Sequence, residues 1–204
     1  MSRRRRNLLA IAIVLLLVLL GILDRRLGGV LRDGISHWGT DWNDYQRYHN
    51  RSFSVVEVID GDTLDLAVAD GANPVTRVRL LGIDTPEKQI GDTAAMYFGS
   101  EATMFTTGIA LDQEVTVELD TVGDVRDKYH RLLAYIRLPD GTTLNERIVG
   151  EGYGYADLRF RHSHFEEYVA LQQRAMNSRN GLWAKIRRDQ FPPWLQRKRP
   201  DLLK

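Results

Sequence analysis

Five short segments between residues 52 and 141 alternate apolar and polar residues, and turns rich in glycine and aspartate separate them. The segments read SFSVVEVID, DTLDLAVA, TRVRLLGI, EVTVELD and LLAYIRLPDG, and the turns include DGD, DGAN and PDGT. Successive side chains on a strand point to opposite faces, so this alternation is typical of strands that bury one face. The pattern predicts five strands.

Three helical segments accompany these strands. FGSEATMFTTGIAL, between the third and fourth strands, places Phe98, Ala102, Phe105 and Ile109 at helical spacing. TLNERIVGEG and SHFEEYVALQQRAMNSRNG follow the fifth strand, and each ends at a glycine, which commonly closes a helix. The order predicts an α+β fold, mainly β, in which helices pack against a small β-barrel.

The amino terminus carries four consecutive arginines and then an uncharged, mostly aliphatic run from Asn7 to Leu23. As a helix this run spans roughly 24 Å, somewhat less than the roughly 30 Å hydrocarbon core of a bilayer, and flanking arginines that snorkel can close the difference. We interpret residues 1–26 as one transmembrane signal anchor. A cleaved signal peptide is the alternative, but the run lacks the A-x-A-like pattern that cleavage needs.

Charge around this segment predicts its orientation. More arginines precede the apolar run than follow it, which favours a cytoplasmic amino terminus and a periplasmic or extracellular domain. Residues 27–51 show no sustained period and predict a linker, whose aromatic residues would lie at the membrane surface or form a lid on the domain. The folded domain is predicted at residues 52–184, and a basic tail at residues 185–204.

The composition argues against a passive nucleic-acid binder and excludes sites built from cysteine. The formal net charge is +1, but the positive charge is concentrated at the two ends, so the domain between them is acidic. A passive nucleic-acid binder normally shows a basic surface instead. The chain contains no cysteine, which excludes disulfides and thiolate metal sites.

Carboxylates lie at the ends of two predicted strands. DGDT at 60–63 begins the second strand, and IDTPE at 83–87 follows the third. In a closed barrel these two ends can meet, and their carboxylates repel each other unless a cation joins them. Asp62, Asp84 and the carbonyl of Thr85, which Pro86 holds in an extended conformation, offer hard oxygen ligands suited to Ca²⁺ or Mg²⁺ rather than zinc.

Two arginines accompany the carboxylates. Arg79 shares the third strand with apolar residues, and its burial is costly unless it meets a carboxylate or an anionic substrate. DKYHRLLAYI places Arg131 at the start of the fifth strand. Taken singly, each feature is an ordinary turn, strand end or cross-strand pair. Together, two arginines and a metal predict phosphoryl chemistry, because negative charge grows on the phosphate oxygens during attack at phosphorus.

Five motifs, in order, resemble the successive motifs of the staphylococcal nuclease (thermonuclease) family. They are VIDGDTLDL, RVRLLGIDTPE, DKYHRLLAYI, LNERIVGEGYGYA and NGLWA, and they cover essentially the whole predicted domain. The resemblance implies a five-stranded OB-fold barrel with three helices. It also implies a calcium-dependent endonuclease that acts on DNA and RNA, breaks the 5′ P–O bond and leaves 3′-phosphates.

The resemblance implies a role for each matching residue. Asp62 and Asp84 match the calcium-ligand aspartates, and Thr85 matches the threonine whose carbonyl completes the protein ligands. Glu87 matches the glutamate that takes the proton of the attacking water or orients that water.

Further matches concern the substrate. Arg79 and Arg131 match the arginines that hold the phosphate and stabilise the pentacoordinate state, and Lys128 and Tyr129 match residues that contact a terminal phosphate. Phe160 occupies the position of a base-pocket tyrosine and can stack on a base.

Two departures from the family pattern affect what the resemblance implies. His130 stands where the family usually has glycine, directly before the catalytic arginine. Leu158 replaces a base-pocket tyrosine, so base preference does not carry over. The alternative functions are a noncatalytic OB-fold module that binds nucleic acid or protein through RKRPDLLK, and an envelope scaffold with a vestigial nuclease fold. The complete set of catalytic residues favours the enzyme.

Overall fold

The computed structural model describes residues 42–89 and 94–203. The predicted transmembrane segment, residues 1–26, and most of the predicted linker lie outside these ranges. None of the helices in the described ranges is long and apolar enough to cross a membrane. From Asp44 onward the chain forms one compact unit.

Five of the seven strands in the described ranges close into a barrel, which confirms the predicted barrel. The seven strands are β1 (Arg51–Asp60), β2 (Thr63–Leu66), β3 (Thr76–Leu80), β4 (Ile83–Asp84), β5 (Glu114–Glu118), β6 (Leu132–Arg137) and β7 (Tyr155–Ala156). The barrel order is β1-β2-β3-β6-β5. β3 and β6 are parallel, and the other neighbouring barrel strands are antiparallel.

The alternating residues fill the barrel with aliphatic side chains. In β3, for example, Val78 and Leu80 are buried, whereas Arg77 is exposed and Arg79 is partly buried. Burying each aliphatic side chain contributes about 1.5–3 kcal/mol to folding. The fully or almost fully buried barrel residues include Val55, Leu64, Leu66, Val78, Leu80, Val115, Val117, Leu132, Ala134 and Ile136.

Helices surround the barrel. They are α1 (42–48), α2 (Gly99–Ala110), α3 (Leu144–Gly150), α4 (Phe165–Asn177) and α5 (Pro193–Lys198). The helices α2, α3 and α4 lie where the sequence predicts them. The other two, α1 and α5, lie in the segments interpreted as linker and tail.

Helix α1 packs on the barrel through its tyrosines. Tyr48 is fully buried, and its hydroxyl lies 3.1 Å from Thr76 Oγ1 in β3. The Tyr45 hydroxyl donates to the Leu119 carbonyl at 3.1 Å. Of the two positions expected for the linker aromatics, these two residues therefore occupy the one on the domain.

Residues 185–203, which we call the C-terminal segment, fold against the body of the protein. The segment contains a 3₁₀ turn (Arg188–Gln190), α5 and a second 3₁₀ turn (Pro200–Leu203). Its apolar side chains join a second cluster of buried residues beside α4 and β7. The members of this cluster are Tyr155, Ala175, Leu182, Trp183, Phe191, Trp194 and Leu195.

Candidate active site

A small sheet and the turn before β2 bring two carboxylates together. β4 pairs antiparallel with β7, which places Asp84 opposite Tyr155. Arg79 Nη1 lies 3.0 Å from Asp62 Oδ2, and Arg79 Nη2 lies 3.0 Å from Asp84 Oδ1. The two strand ends therefore meet as the sequence predicts. The Arg79 side chain is only 13% exposed, and these carboxylates compensate for its burial.

Thr85 is fixed by Asp62. The Thr85 backbone N–H donates to Asp62 Oδ2 at 2.8 Å, and the Thr85 hydroxyl donates to the same oxygen at 3.1 Å. A Cβ placed on Gly61 would lie 2.6 Å from Thr85 Oγ1, so the turn can approach this closely only with glycine. The segment that carries the Thr85 carbonyl is thus held against the turn before β2.

Asp84 accepts hydrogen bonds on both carboxylate oxygens. Oδ1 accepts from Arg79 Nη2 at 3.0 Å and from Arg159 Nη2 at 2.7 Å. Oδ2 accepts from Trp194 Nε1 at 2.7 Å, across 110 residues of sequence. The sequence predicted neither Arg159 nor Trp194 as part of the site.

Burial raises the pKa of both carboxyl groups, and the nearby arginines offset the rise only in part. Burial raises the pKa of Asp62 to about 6; Arg79 opposes the rise, and Asp60 adds to it. Burial also raises the pKa of Asp84, and repulsion from Asp62 adds to this effect although Arg79 and Arg159 oppose it. A bound cation would favour the ionised form of both groups.

Glu87 lies on the exposed side of the same group, where β4 leads into the loop before α2. Its backbone carbonyl accepts from the Met96 N–H at 2.9 Å, and a Cβ placed on Gly99 would lie 2.2 Å from that carbonyl. Partial burial raises the pKa of Glu87, and the charge of Asp62 contributes next. A carboxylate with a raised pKa is a better proton acceptor near neutral pH.

Arg131 is linked to Asp62 through Thr63. Its Nε and Nη2 each lie 2.7 Å from Asp127 Oδ2 within the same turn. Its Nη1 donates to Thr63 Oγ1 at 3.4 Å, and the Thr63 hydroxyl donates to Asp62 Oδ1 at 3.2 Å. The turn therefore links the second arginine, through Thr63, to Asp62, one of the two carboxylates that Arg79 contacts.

His130 adopts the left-handed backbone conformation that glycine favours. Its φ is +63°, and its N–H donates to the Asp127 carbonyl at 2.9 Å. Histidine is enriched among the few residue types other than glycine that occupy this region. The turn before Arg131 therefore has a left-handed residue at position 130, although that residue is histidine and not glycine.

The predicted substrate-binding residues carry exposed rings beside the site arginines. Tyr129 and Phe160 are each 66% exposed. Lys128 Nζ lies 4.8 Å from the centroid of the Tyr129 ring, and the Arg131 guanidinium carbon lies 5.5 Å from it. The guanidinium carbon of Arg159 lies 5.8 Å from the Phe160 ring. Exposed rings next to cations are suited to stacking on bases.

Sequence reasoning missed four residues of the site. Asp60 accepts from the Asp62 N–H at 3.0 Å, and its place in the DGD motif was a usable signal. The buried Asp157 holds Arg159 with contacts of 2.8 Å to both of its carboxylate oxygens. No local pattern marks Arg159 or Trp194, because both contact Asp84 from distant parts of the sequence, and Asp157 contributes by holding Arg159.

Two histidines lie outside this site. His162 is buried, and its Nδ1 lies 2.9 Å from the Tyr135 hydroxyl. His164, Glu146 and Glu167 have ligand-type atoms within 4.8 Å of one another. His164 Nδ1 and Glu167 Oε2 pair at 2.8 Å, which accounts for this contact without a metal.

The oxygen atoms around Asp62 and Asp84 fit a hard cation. Asp62 Oδ2 is surrounded by Thr85 and Arg79 donors, whereas Asp62 Oδ1 accepts from Thr63. Asp84 Oδ2 accepts from Trp194. Each carboxylate oxygen has about two lone-pair sites, so Asp62 Oδ1 and Asp84 Oδ2 keep acceptor capacity. With the Thr85 carbonyl they form an all-oxygen donor set of the kind that calcium and magnesium prefer.

Known proteins are similar in sequence to this chain over most of its folded domain. The profile of the family described as "Staphylococcal nuclease homologue" matches residues 77–185. The chain is 30% identical to the thermonuclease of Staphylococcus hyicus over 137 residues, which are 67% of this chain and 78% of the relative. It is 32% identical to an Escherichia coli protein named "Uncharacterized endonuclease" over 151 residues, 71% of this chain and 84% of the relative.

A third relative is more similar over a shorter stretch. The chain is 38% identical to the thermonuclease of Staphylococcus intermedius over 105 residues, 52% of this chain and 59% of the relative. The family profile spans β3 to the start of the C-terminal segment, and it therefore includes Arg79, Asp84, Glu87 and Arg131. This chain belongs to the staphylococcal nuclease family and is a nuclease.

Proposed function

We propose that this nuclease is a calcium-dependent endonuclease that hydrolyses phosphodiester bonds of DNA and RNA at a membrane. It breaks the 5′ P–O bond and leaves 3′-phosphates. One observation carries the proposal: Arg79 spans Asp62 and Asp84, while Arg131 is linked to Asp62 through the Thr63 hydroxyl. Two guanidinium groups beside an oxygen-ligand cation site suit a phosphodiester that gains charge during attack.

The arginines bind the phosphate. Three N–H contacts of Arg79 go to Asp62, Asp84 and the Leu80 carbonyl. A guanidinium has five N–H groups, so Arg79 keeps donors for a phosphate oxygen. The Arg131 side chain is 26% exposed and reaches the substrate from the other side of Asp62. Both guanidiniums are already oriented, so little reorganisation is needed as negative charge develops.

Glu87 is the proton acceptor for the attacking water. In the proposed reaction Glu87 orients a water molecule and accepts its proton while the water oxygen bonds to phosphorus. The P–O bond to the 5′ oxygen breaks, that oxygen takes a proton from solvent water and leaves as a 5′-hydroxyl, and Glu87 then releases its proton to solvent. The raised pKa of Glu87, caused by partial burial and by nearby carboxylates, favours proton acceptance.

Asp62, Asp84 and the Thr85 carbonyl are the residues that would hold the calcium ion. When bound, the ion would polarise a phosphate oxygen and offset the charge of the reacting group. The donor set suits magnesium as well as calcium. Calcium is the proposed ion because the family that this chain belongs to is typically calcium-dependent.

The exposed rings support a nucleic-acid substrate. Phe160 would stack on a base, and Lys128 and Tyr129 would contact a terminal phosphate. Stacking on aromatic rings accepts every base and both kinds of sugar, which is consistent with activity on DNA and RNA.

The membrane part of the proposal rests on residues 1–26. Their apolar run, their flanking arginines and the missing cleavage pattern support a retained single-pass anchor. With the amino terminus inside, the catalytic domain lies on the periplasmic or extracellular side.

The test uses the full chain, purified in a mild detergent. Single-stranded DNA or RNA is incubated with it in calcium and in excess chelator, and the product ends are analysed. We expect cleavage only with calcium, and products with 3′-phosphates and 5′-hydroxyls. Binding without cleavage would support the noncatalytic module instead. Cleavage in chelator would contradict the metal requirement, and 5′-phosphate products would contradict the proposed bond.

A further inference from the structure

The C-terminal segment contributes a direct contact to Asp84. Trp194 lies in the first turn of α5, and its indole N–H donates to Asp84 Oδ2 at 2.7 Å. This oxygen is the one that keeps acceptor capacity, because both guanidinium contacts of Asp84 go to Oδ1. The indole therefore donates to the carboxylate oxygen that is available to a ligand.

Packing holds the indole in one orientation. Trp194 is 7% exposed and meets the Tyr155 ring edge-on, with centroids 6.3 Å apart. The guanidinium carbon of Arg159 lies 4.8 Å from the Trp194 ring. Pro192 and Pro193 precede it, and proline fixes φ at a value suited to the start of a helix. The donor is therefore rigid.

A rigid donor limits how the carboxylate can rotate. Arg79 and Arg159 hold Asp84 from the Oδ1 side, and the indole holds it from the Oδ2 side. Without the indole, Oδ2 loses the contact that sets the plane of the carboxylate. When the indole is in place, its N–H occupies one lone-pair site of Asp84 Oδ2, and the second lone-pair site of that oxygen keeps a fixed direction.

We propose that Trp194 is a positioning residue of the active site, and that the C-terminal segment therefore completes the site. The indole N–H orients Asp84 Oδ2 for the cation, an inference that rests on the proposed calcium-dependent function. Partners that orient metal ligands typically change metal affinity or activity by 10- to 100-fold when they are removed.

Trp194→Phe is the informative variant, because phenylalanine keeps a ring in the cluster but has no N–H. Trp183→Phe is a matched control. Trp183 belongs to the same apolar cluster, but its buried Nε1 has no hydrogen-bond partner in the described part of the chain. Both variants remove part of an indole from one cluster, and only the first removes a donor to Asp84.

The experiment measures calcium affinity by titration calorimetry, thermal unfolding without metal, and turnover as a function of calcium, all on the full chain. We expect Trp194→Phe to weaken calcium binding by about tenfold or more, and to shift the calcium dependence of turnover equally. Trp183→Phe should bind calcium like the parent even if it melts at a similarly lowered temperature.

A folded Trp194→Phe chain with parental calcium affinity would overturn the inference and leave the proposed function intact. A parent chain that neither binds calcium nor cleaves would overturn both. If Trp194→Phe does not fold, the NMR resonance of the Trp194 indole N–H in the parent chain tests the inference. This resonance is assigned by substituting each of the other tryptophans in turn. A Trp194 resonance that shifts on adding calcium supports the contact, and one that stays unchanged overturns it.

Discussion

At the residue scale, His130 determines how Arg131 is presented. Its φ of +63° costs an ordinary side chain about 1–2 kcal/mol, whereas glycine adopts this conformation freely but loses more entropy on folding. We expect His130→Gly to raise the free energy of unfolding by roughly 0–1.5 kcal/mol, which is the relief of the left-handed conformation less the entropy cost of glycine, and to keep parental turnover. Thermal unfolding and a cleavage assay measure both quantities.

His130→Val is the control for the same turn. A β-branched side chain is a genuine outlier at positive φ, so this variant should lose about 1–2 kcal/mol and lower turnover by displacing Arg131. If His130→Val were as stable and active as His130→Gly, the left-handed turn would not control the position of Arg131.

Asp120 links the end of β5 to the segment before α4. Burial alone would raise the pKa of Asp120, but hydrogen bonds from Ser163, Tyr135 and the Val122 N–H outweigh it and lower the pKa to about 2. A depressed folded pKa contributes stability above the unfolded value of about 3.9, and this contribution is lost as the pH falls towards 2.

Asp120→Asn should therefore destabilise the protein in a pH-dependent way. We expect the free energy of unfolding of the parent to exceed that of the variant by up to about 2 kcal/mol at neutral pH. This difference should shrink as the pH falls from about 4 to about 2. Urea unfolding at several pH values measures the difference. A gap that stays constant across this range would show that the charge of Asp120 does not contribute.

At the element scale, α1 is tied to the turn that carries Arg131. Arg126 contacts Asp44 of α1 with distances of 2.6 and 2.9 Å, and Asp70 at 2.6 Å. It also donates to the His130 carbonyl at 2.9 Å. Arg126→Gln leaves these acceptors without their charged partner, so it should cost about 2 kcal/mol of stability and lower turnover.

Arg147→Gln is the matched control for the loss of an arginine. Arg147 pairs with Glu151 at 3.3 Å on an exposed face of α3, where an ion pair contributes at most about 0.5 kcal/mol. Thermal unfolding and turnover of the two variants should separate clearly. Equal behaviour would show that the contacts of Arg126 add nothing beyond those of a surface pair.

The elements that follow a local pattern were predictable. The alternation of β1, β2, β3, β5 and β6 and the spacing within α2 are properties of short windows of sequence. The pair β4–β7 is not, because each strand has only two residues and its partner lies more than 70 positions away. The helix α5 carries no apolar period of its own, and it follows from packing against Tyr155 and Trp183.

At the scale of the whole molecule, the site joins residues from almost every part of the described chain. Asp62, Arg79, Asp84 and Arg131 were predictable because strand ends meet in a closed barrel and because their motifs resemble a known family. Trp194 was not, because its role depends on a contact with Asp84 across 110 residues. Its position in a basic stretch indicated a tail instead.

The predicted topology is a whole-molecule property that needs its own test. We expect the intact chain in the membrane fraction, with its domain accessible to added protease only from the outside, because the flanking charge favours an inside amino terminus. Cell fractionation and protease protection measure this. A soluble product that begins near Leu27 would show that the segment is a cleaved signal peptide.

The measurement that most directly tests the central claim is calcium-induced thermal stabilisation, recorded with turnover, for the parent, Asp84→Asn and Glu87→Gln. Calcium should stabilise the parent by mass action. Asp84→Asn should lose this stabilisation together with activity, yet melt near the parent without metal, because the raised pKa of Asp84 means that folding does not favour its charge. Glu87→Gln should keep the stabilisation and lose turnover. An Asp84→Asn chain that calcium stabilises as strongly as the parent would contradict the proposed metal site.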